Sequence, residues 1–591
     1  MKPRNYTAIA RGLDVYILAY RIPSGRLIKL ACVKSRELRL EQERNPTTSP
    51  FKYSKSRAHQ ICAFQESFVP YKQKKSEERY GLPRILDPWS IWFDVNLFGW
   101  IKRDTGTRKH RHALLQVARG AGKSEKSSNY ALYMLGGTGE GGAEVYCAAT
   151  KLDQAKRVYD VSRNLLQFEP NHTLRDMLGL ECRAHRIIQP STFSYMVPVP
   201  AESKSMDGLD PYYISCDEIH EWHDSNLWYV LRNGMGKRDE NLMVAITTAG
   251  SDISTVGYDR YKYSQAVLEG AVRDDSYWCA VYEPDEGDDW HSEETWIKAN
   301  PAWNSFMDKD DFLSSYNEAK TLPAARADFM VKRLNMWGVK SKGYGRMSDW
   351  KIAASTTLDP EAYMGRKCFI GVDLAFTNDI SAVSIMFPYD KFNTATQENE
   401  THYDVLNLYY LPEERIEEDP KNSSFYKRCR DKGLLTEHRG TDTNPVLIAE
   451  DILDLCEHYD VQYVGVDPYG SKPLINRLEE ALGEDKVFKI RQTTMELTAA
   501  TKQLEYLSRV HCVHFDKDDE MILWMLSNVE LYTDSSGNVK PDKAKSTNKI
   551  DGVASTIDAL VLALNAKKPI KSIYADDTWE AGIEPSEDAA K

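Results

Sequence analysis

The segment Val117–Ser124 has residue types that can bind a phosphate group. Its sequence, Val-Ala-Arg-Gly-Ala-Gly-Lys-Ser, follows the apolar run 114–117 and precedes the polar segment 125–132. A strand, a glycine-containing turn and a helix in this order aim backbone N–H groups and the positive end of the helix dipole at an anion. Lys123 would reach the β- and γ-phosphates of a nucleotide, and the Ser124 hydroxyl would bind Mg²⁺. Val117 stands where the usual motif has its first glycine, so an ordinary Gly-Lys-Ser turn is the alternative.

A pair of adjacent carboxylates completes the pattern of a nucleotide hydrolase. The apolar strand predicted at 211–216 ends in Asp217 and Glu218, and the next strand ends in Thr247 and Thr248. Such an enzyme needs one carboxylate to hold Mg²⁺ and another to orient the attacking water. Strands alternate with helices here, which predicts a mostly parallel, doubly wound sheet with its ligand at the carboxyl ends of the strands. A polar strand terminus is the alternative for Asp217 and Glu218, but the combination with the phosphate loop favours an NTPase.

Three further carboxylates predict a nuclease in the second half of the chain. Asp373 ends the first strand after residue 365, Asp467 ends the fourth, and Asp551 begins the last helix. An RNase H-like fold brings together carboxylates from these elements. Clustered anionic oxygens can hold two Mg²⁺ or Mn²⁺ ions about 3.5–4 Å apart for phosphodiester cleavage. Oxygen ligands of this kind are the ones that hard cations such as Mg²⁺ prefer. The alternative is that the three acids only cap the ends of their strands and helix.

Two other acids are candidates near the same centre. Asp379 lies six residues after Asp373 and is predicted as an accessory metal ligand. Asp558 lies two helical turns after Asp551, on roughly the same face, and competes with it for the third ligand position. The lysine-rich loop 540–549 would contact DNA phosphates, or it is a solvated charged loop.

Composition limits the remaining possibilities. A chain of 591 residues needs two or more domains, and it has no apolar run of 18 residues, so no transmembrane helix is expected. The N-terminus lacks an apolar signal region, so secretion is not expected. The ten cysteines show no C-x-x-C spacing, which predicts reduced thiols without a disulfide framework or zinc site. The net charge of −12 does not indicate a nucleic-acid binder, although residues 1–60 hold 13 Lys and Arg against 4 Asp and Glu.

The predicted fold class is α/β, with a P-loop NTPase domain built on a parallel sheet followed by an RNase H-like nuclease domain. Changes in composition and periodicity divide the chain into five predicted parts. They are a basic N-terminal arm at 1–60, a P-loop ATPase core at 61–250, a helical lid and linker at 251–350, the nuclease domain at 360–569, and a flexible acidic tail at 570–591.

From about residue 60 to 566 the chain resembles the large terminase subunits of tailed bacteriophages. The phosphate loop with an arginine and no leading glycine is that family's variant of the motif. Further similarities follow Asp217-Glu218 and the later strands. The matching segments are Ile219-His220-Glu221-Trp222, Gly234-Met235-Gly236-Lys237-Arg238, Ile246-Thr247-Thr248-Ala249-Gly250-Ser251, Trp296, Ala299-Asn300-Pro301, Leu334-Asn335-Met336-Trp337 and Lys549-Ile550-Asp551-Gly552.

The resemblance implies a role for each motif residue. Lys123 and Ser124 would bind phosphate and Mg²⁺, Asp217 would be the Mg²⁺-associated carboxylate and Glu218 the catalytic one. The last family motif, Lys-x-Asp-Gly, favours Asp551 over its rival as third nuclease ligand. The nucleotide-binding set implied is Arg119, Gly120, Ala121, Gly122, Lys123, Ser124, Asp217 and Trp89, and the nuclease set is Asp373, Asp379, Asp467 and Asp551.

Two positions near the nucleotide remain open. Pro88-Trp89 is similar to the family's adenine-side motif, but this chain has Ser90 where the family usually shows Gln. Ring motors take an arginine finger from a neighbouring subunit. Arg238 is the candidate for that finger, and an ordinary surface arginine is the alternative.

The function expected from the resemblance is viral genome packaging. ATP, with Mg²⁺ (Mn²⁺ possible at the nuclease), would drive double-stranded DNA into a procapsid, and the nuclease would cut concatemers. The expected partners are a small terminase subunit, the capsid portal and further copies in a ring, with no membrane, in the host cytoplasm. A helicase–nuclease of DNA repair or recombination is the alternative, although no helicase motif follows a second motor domain. An assembly scaffold with relic sites is a third possibility, which ATP turnover lost in Glu218→Ala would exclude.

Overall fold

The computed structural model describes residues 4–68, 82, 84–168, 172–200, 208–339, 344–375, 379–394, 397–419, 422–534, 536–543, 546 and 548–566. These residues form two large β-sheets with helices on their faces. The predicted tail at 570–591 lies outside the described residues. Residues 340–343, within the predicted lid and linker at 251–350, also lie outside them. Among the helices of the described ranges, none combines the length and apolar character that a membrane span requires.

The N-terminal sheet has eight strands, and its elements run from residue 6 to residue 281. Its helices are α1 Tyr6–Leu18, α2 Arg26–Arg44, α3 Lys55–Phe68, α4 Pro88–Gly99, α5 Lys123–Leu132, α6 Leu152–Gln167, α7 His172–Leu178, α8 Asn226–Gly234 and α9 Val256–Glu269. Its strands are β3 His112–Gln116, β4 Glu144–Ala149, β5 Glu181–Cys182, β6 Ile187–Gln189, β7 Ser194–Pro200, β8 Pro211–Asp217, β9 Leu242–Thr247 and β10 Tyr277–Val281, beside a small ribbon of β1 Phe51–Tyr53 and β2 Trp100–Lys102.

The strand order is β10-β3-β9-β8-β4-β7-β6-β5, and the first six strands run parallel. Strands β8 and β9 are buried along their whole length, which is why they read as continuous apolar runs. Gln116 at the end of β3 is level with Thr247 on β9, and Ile246 is level with Asp217 on β8. The phosphate loop after β3 therefore lies at the same sheet edge as the predicted carboxylates.

Residues 1–60 differ from the basic arm that the sequence predicts. Tyr6, Leu13 and Ile17 of α1 and Leu27 and Ile28 of α2 are buried in the core of the N-terminal sheet. The apolar residues of α1 recur at spacings of three and four, so they form one helical face. Helix α1 contains one basic residue, Arg11, whereas α2 contains six, none of which is buried. The basic composition of 1–60 therefore comes mainly from α2 and the segments around it, and it does not describe α1.

The boundary predicted at residue 250 is also too early. Strand β10 pairs in parallel with β3, so it is the edge strand of the N-terminal sheet. Three helices with an aromatic core of their own follow it: α10 Glu293–Ala299, α11 Lys309–Thr321 and α12 Pro323–Lys332. The helix α13 Met347–Ala353 then leads into the C-terminal sheet. The predicted helical lid and linker at 251–350 therefore contains α9 to α12 and the start of α13, but also strand β10 of the N-terminal sheet.

The C-terminal sheet has seven strands in the order β14-β13-β12-β11-β15-β16, with β17 also pairing with β13. The strands are β11 Lys367–Asp373, β12 Ser381–Asn393, β13 Glu398–Pro412, β14 Leu435–His438, β15 Asp460–Val466, β16 Val487–Lys489 and β17 Val513–Phe515, beside a ribbon of β18 Leu531–Thr533 and β19 Val539–Pro541. The helices are α14 Glu413–Glu418, α15 Ser423–Asp431, α16 Pro445–His458, α17 Lys472–Leu482, α18 Thr494–Arg509, α19 Glu520–Asn528 and α20 Asp551–Ala566.

Helix α20 packs directly on the middle of this sheet, across β11 and β12. Gly371 of β11 permits the close approach, because a Cβ atom there would lie 2.0 Å from the carbonyl oxygen of Ser555. Strands β11 and β12 are antiparallel, whereas β11 and β15 are parallel. The carboxyl ends of β11 and β15 therefore lie side by side, next to the N-terminus of α20.

Candidate active sites

The phosphate loop has the backbone geometry of an anion site. Gly120 and Gly122 have φ angles of 96° and 77°, in the left-handed region that side chains disfavour. Gly122 is the N-cap of α5, so the free N–H groups of the first helical turn face the loop. Arg119 and Gly120 are exposed, and Ala121 is buried. The loop thus offers mainly backbone N–H donors to a phosphate group.

Lys123 connects this loop to the carboxylates of β8. Its side chain is 7% exposed, and its Nζ lies 4.0 Å from Oε1 of Glu218 and 3.5 Å from the carbonyl oxygen of Val117. Ser124 follows it, half-buried, in the first turn of α5. The backbone N–H of Arg119 donates to the carbonyl of Lys332 at 2.8 Å, which fastens the loop to α12.

The surroundings of Asp217 and Glu218 shift the pKa values of the two carboxyl groups in opposite directions. Asp217 is 4% exposed, and its Oδ1 has no hydrogen-bond partner among the described residues. Burial and the charge of Glu218 raise the pKa of Asp217 to about 7, against the opposing charge of Lys123. Burial also acts to raise the pKa of Glu218, but His220 and Lys123 outweigh it and lower that pKa to about 2. Glu218 is therefore held in its ionised form beside the lysine.

His220 is a neighbour of Glu218 that the sequence pattern did not mark as a site residue. Its Nδ1 lies 3.1 Å from Oε2 of Glu218 and 3.0 Å from Oγ1 of Thr247. Helix α9 holds the turn that carries His220, because a Cβ on Gly257 would lie 2.7 Å from the Cα of His220. In the sequence, His220 belongs to the segment Ile219-His220-Glu221-Trp222, whose resemblance to the family gives it no chemical role.

Trp89 lies beside the phosphate loop, as the resemblance implies. It is 6% exposed at the start of α4 and lines one pocket together with Ser90 and Gly122. The Ser90 hydroxyl accepts a hydrogen bond from Lys126 Nζ at 2.7 Å, and the same ammonium pairs with Asp94 at 2.6 Å. Ser90 thus serves the packing of α4 against α5.

Arg238 is bound within its own chain. Its guanidinium pairs with Glu140 at 2.8 Å and with Asp210 at 2.9 Å, and its side chain is 16% exposed. It also donates to the carbonyl of Gly142 at 2.7 Å. These contacts join the loops before β4 and β8 and favour a structural role over an arginine finger.

At the edge of the C-terminal sheet, Asp373 and Asp551 converge on a single cationic group. Lys543 Nζ lies 2.7 Å from Oδ2 of Asp373 and 2.9 Å from Oδ1 of Asp551. Both carboxylates are almost fully buried, at 2% and 1% exposed, and Oδ2 of Asp551 has no hydrogen-bond partner among the described residues. Two buried anions that converge in this way have the geometry of a cation site.

The charges of neighbouring acids act on Asp373. Burial raises the pKa of Asp373 to about 7, Lys543 opposes the shift, and the charges of Asp551 and Asp467 add to it. Asp467 follows β15 and is half-buried, and its Oδ1 accepts from the backbone N–H of Tyr469 at 3.1 Å. The three predicted carboxylates therefore share one electrostatic environment at the sheet edge.

Asp558 and Asp379 border this centre in different ways. Asp558 is fully buried and accepts two hydrogen bonds from Gln492 Nε2, each of 3.2 Å. Burial and the charge of Asp373 raise its pKa well above the ordinary value. Asp379 forms an ion pair with Lys549. Burial raises the pKa of Asp551 against the charge of Lys543, and the charge of Asp379 adds to the increase. Asp551, and not Asp558, shares the lysine with Asp373.

Gln492 and Lys543 are site residues that the sequence analysis did not single out. Lys543 was included only in the lysine-rich loop 540–549, and no pattern marked Gln492. Of the predicted residues, Lys123 and Glu218 lie together at one sheet edge, and Asp373 and Asp551 lie together at the other, while their chemical roles stay predictions.

One sheet edge carries a phosphate loop with a lysine and a paired Asp-Glu, and the other carries converging carboxylates. These features define a nucleotide hydrolase joined to a metal-dependent nuclease in one chain. Two family models match: the ATPase domain of the terminase large subunit over residues 88–266, and its endonuclease domain over residues 271–567. The chain belongs to the terminase large subunit family.

The chain is also similar to individual proteins. The chain is 28% identical over 371 residues to Protein YmfN of Escherichia coli K12, covering 61% of this chain and 79% of that protein. It is 23% identical over 511 residues to the large terminase subunit of Enterobacteria phage HK97, covering 84% and 94%. The crystal structure of the HK97 large terminase aligns with a TM-score of 0.44 at 21% identity, covering 85% of this chain and 99% of that one.

The family assignment confirms the predicted fold class and the predicted function. The protein is a motor of phage DNA packaging that also cuts DNA, and it has ATPase and endonuclease activities. It uses a nucleotide and divalent metal. This assignment excludes the two alternatives, a helicase–nuclease of DNA repair and an inactive assembly scaffold.

Proposed function

We propose that the two sheet edges divide the work of the packaging motor. The N-terminal edge hydrolyses ATP to move double-stranded DNA into a procapsid, and the C-terminal edge cuts concatemeric DNA. The observation that carries this proposal is the presence of two separate charged centres, Lys123 with Glu218 and Lys543 with Asp373 and Asp551. Each centre has a buried carboxylate oxygen with no hydrogen-bond partner among the described residues.

In the ATPase centre, the backbone of the phosphate loop and Lys123 would bind the phosphates of ATP. Ser124 and Asp217 would hold Mg²⁺, and the unpartnered Oδ1 of Asp217 fits that role. The bound cation would neutralise charge on the phosphate oxygens. Because its pKa is about 2, Glu218 stays ionised, so its role would be to orient the attacking water rather than to store a proton. Arg119 would contact phosphate, and Trp89 would flank the base.

In the nuclease centre, Asp373, Asp467 and Asp551 would hold Mg²⁺, or Mn²⁺ in its place. The fit is supported by the convergence of two buried carboxylates on one ammonium group. Bound divalent cations would activate water and stabilise charge on the cleaved phosphodiester. Asp379 is the accessory ligand in this proposal, and Asp558 would stay behind the site, held by Gln492.

We further propose a small terminase subunit, the capsid portal and other copies of this chain in a ring as partners. The protein would act in the host cytoplasm, docked for a time on the procapsid. The packaging function of the family supports these partners. Phosphate contacts carry no sequence information, so a partner that recognises DNA sequence would choose the cutting site.

The test measures ATP turnover and Mn²⁺-dependent plasmid cleavage in parallel. Lys123→Ala and Glu218→Gln are expected to lose ATP turnover by about 100-fold or more and to keep basal cleavage. Asp373→Asn is expected to lose cleavage and to keep ATP turnover. Asp460→Asn, at the exposed opposite end of β15 from Asp467, is the matched control and should leave both activities unchanged.

Loss of cleavage together with ATP turnover in Lys123→Ala would contradict the separation of the two centres. Cleavage that survives in Asp373→Asn would contradict the assignment of the nuclease.

A further inference from the structure

A second group of metal-ligating side chains lies in the C-terminal domain. Glu400 and His402 are on β13, and Cys512 immediately precedes β17. The two strands are parallel, with Tyr403 level with Val513, so Cys512 lies beside His402. Because side chains alternate along a strand, Glu400 and His402 project from the same face of the sheet. An imidazole, a thiol and a carboxylate are thus placed together.

The ligand atoms are close enough to share one ion. His402 Nε2 lies 3.8 Å from Cys512 Sγ, which lies 4.0 Å from Oε2 of Glu400. A ligand atom from each residue lies within 4.8 Å of the others. Zinc bonds of about 2.0–2.3 Å at tetrahedral angles separate ligand atoms by about 3.5 Å. Small side-chain rotations would therefore close the site.

His514 orients the imidazole for this role. His402 Nδ1 lies 3.1 Å from His514 Nε2, and the two ring planes are parallel to within 7° with their centroids 5.4 Å apart. If His402 donates its Nδ1–H to His514, the lone pair of its Nε2 faces Cys512 and Glu400. Histidines that bind metals commonly have such a partner for the other ring nitrogen. His402 is buried, with 8% of its surface exposed.

This group is separate from the nuclease centre. Asp373 is level with Ala382 of β12, which is level with Tyr409 of β13. His402 lies seven residues along β13 from Tyr409, which is roughly 23 Å at the rise of a strand. The two sites also differ in chemistry, because the nuclease centre offers oxygen ligands and this group offers nitrogen, sulfur and oxygen.

We propose that Glu400, His402 and Cys512 bind one zinc-class divalent cation, with water in the fourth position. Cys512 binds as the thiolate, and its proton passes to solvent. The thiolate and the Glu400 carboxylate then balance the two positive charges of the ion. Sulfur and imidazole ligands select Zn²⁺ over Mg²⁺. The bound ion would tie β13 to the segment that follows α18, and so stabilise the end of the sheet farthest from the nuclease centre.

Cobalt is a suitable probe because a thiolate ligand produces a charge-transfer absorption band and an all-oxygen site does not. The metal-free, reduced full chain is titrated with Co²⁺ and then with Zn²⁺. We expect the band to saturate at one equivalent of Co²⁺ and to disappear when Zn²⁺ displaces it. Cys512→Ser and His402→Gln should each lose the band, with the fold checked by circular dichroism. Cys456→Ser, which changes a partly buried cysteine of α16, is the matched control and should keep it.

His514→Phe preserves an aromatic ring but removes the acceptor for His402, so it should keep the band and weaken Co²⁺ binding by about 10–100-fold. Zn²⁺ should also raise the unfolding temperature of the wild type more than that of Cys512→Ser. No band in the wild type, or a band that persists in Cys512→Ser, would overturn the proposal. The packaging function does not depend on either result, because plasmid cleavage and ATP turnover test it separately.

Discussion

Lys543 lies where Asp373 and Asp551 would hold a cation. Its ammonium is within 2.9 Å of both carboxylates and compensates two buried negative charges in the absence of metal. Removing one partner of a buried ion pair leaves an uncompensated charge, which is strongly destabilising. A divalent cation bound by these carboxylates would therefore have the same electrostatic role as the lysine.

We predict that Lys543→Ala makes the fold more dependent on divalent metal. Without metal, its free energy of unfolding should fall by about 1–3 kcal/mol, because the two aspartates then repel each other. Mn²⁺ should restore a larger part of the unfolding temperature than it adds to the wild type. Differential scanning calorimetry with and without Mn²⁺ measures both effects.

The exposed Lys502 of α18 provides the control, and Lys502→Ala should behave as the wild type does. An equal response of Lys543→Ala and wild type to Mn²⁺ would show that the lysine does not substitute for a cation.

At the residue scale, sequence reasoning identified the acids but not the groups that control them. Asp373 and Asp467 end strands, and position at a strand end can be read from local hydrophobicity. Gln492 and His220 carry no such mark, since their importance comes from contacts with Asp558 and Glu218 that only the folded chain creates. Cys512 and His402 are 110 residues apart in the sequence, so no local metal-binding spacing exists.

Among the secondary-structure elements, α20 and β11 make the closest contact of the C-terminal domain. Gly371→Ala would place a Cβ 2.0 Å from the Ser555 oxygen and 2.4 Å from the Ala559 nitrogen, and both are backbone atoms that cannot rotate away. We predict a loss of about 1–3 kcal/mol or more in the free energy of unfolding, because α20 must move off the sheet. Urea denaturation measures the loss.

Gly236→Ala, where nothing lies within 4 Å of the added carbon, is the control and should change stability little. A Gly371→Ala protein as stable as that control would mean that α20 lies farther from β11 than described.

A half-buried acid after β10 provides a pH-dependent test of the N-terminal domain. Glu283 accepts a hydrogen bond from the Tyr261 hydroxyl of α9 at 2.9 Å, and burial raises its pKa from 4.5 to about 7. A raised carboxyl pKa means that the folded state holds the proton more tightly than the unfolded state. Stability is therefore present at low pH and is lost as pH rises from about 4.5 to about 7.

We predict that Glu283→Gln removes this loss. Relative to the variant, the wild type should become less stable by up to about 2 kcal/mol between pH 5 and pH 8. Chemical denaturation at both pH values gives the difference. Parallel stability curves for the two proteins would contradict the shifted pKa.

Element prediction succeeded where one periodicity dominated and failed where composition obscured it. The strands β8, β9, β11 and β15 are short apolar runs between turns, and their ends in Asp217, Thr247, Asp373 and Asp467 were predicted closely. Helices α1 and α2 were missed because the basic composition of 1–60 as a whole favoured an arm, although α1 contains only one basic residue, Arg11. Strand β10 was assigned to the wrong region because pairing with β3, about 160 residues earlier, cannot be read from local sequence.

Taken as a whole, the molecule has charged contacts between its two large domains. Arg428 of α15 forms an ion pair with Asp259 of α9 and lies 3.2 Å from Glu520 of α19. Beside it, the Ser424 hydroxyl accepts from the backbone N–H of Ser225 at 3.1 Å. The arginine thus joins a helix of the ATPase domain to two helices of the nuclease domain.

We predict that Arg428→Ala weakens the coupling between the domains. Calorimetry should show a broader unfolding transition, or two transitions, because Asp259 loses its partner across the interface. ATP turnover and plasmid cleavage by the variant should persist, since Arg428 contacts neither centre.

Arg430→Ala on the same helix is the matched control, because Arg430 pairs with Glu437 and Glu417 inside the nuclease domain. If both variants unfold alike, the Arg428 contacts do not couple the domains.

Helix α9 connects this interface to the ATPase site. At Gly257 it touches the backbone of His220, the neighbour of Glu218, and two residues later Asp259 pairs with Arg428. The contact at Gly257 has no slack for an added methyl group, so the turn and the helix must shift together. A movement of that turn during ATP hydrolysis would therefore displace α9, and through Asp259 it would be transmitted to Arg428 in the nuclease domain.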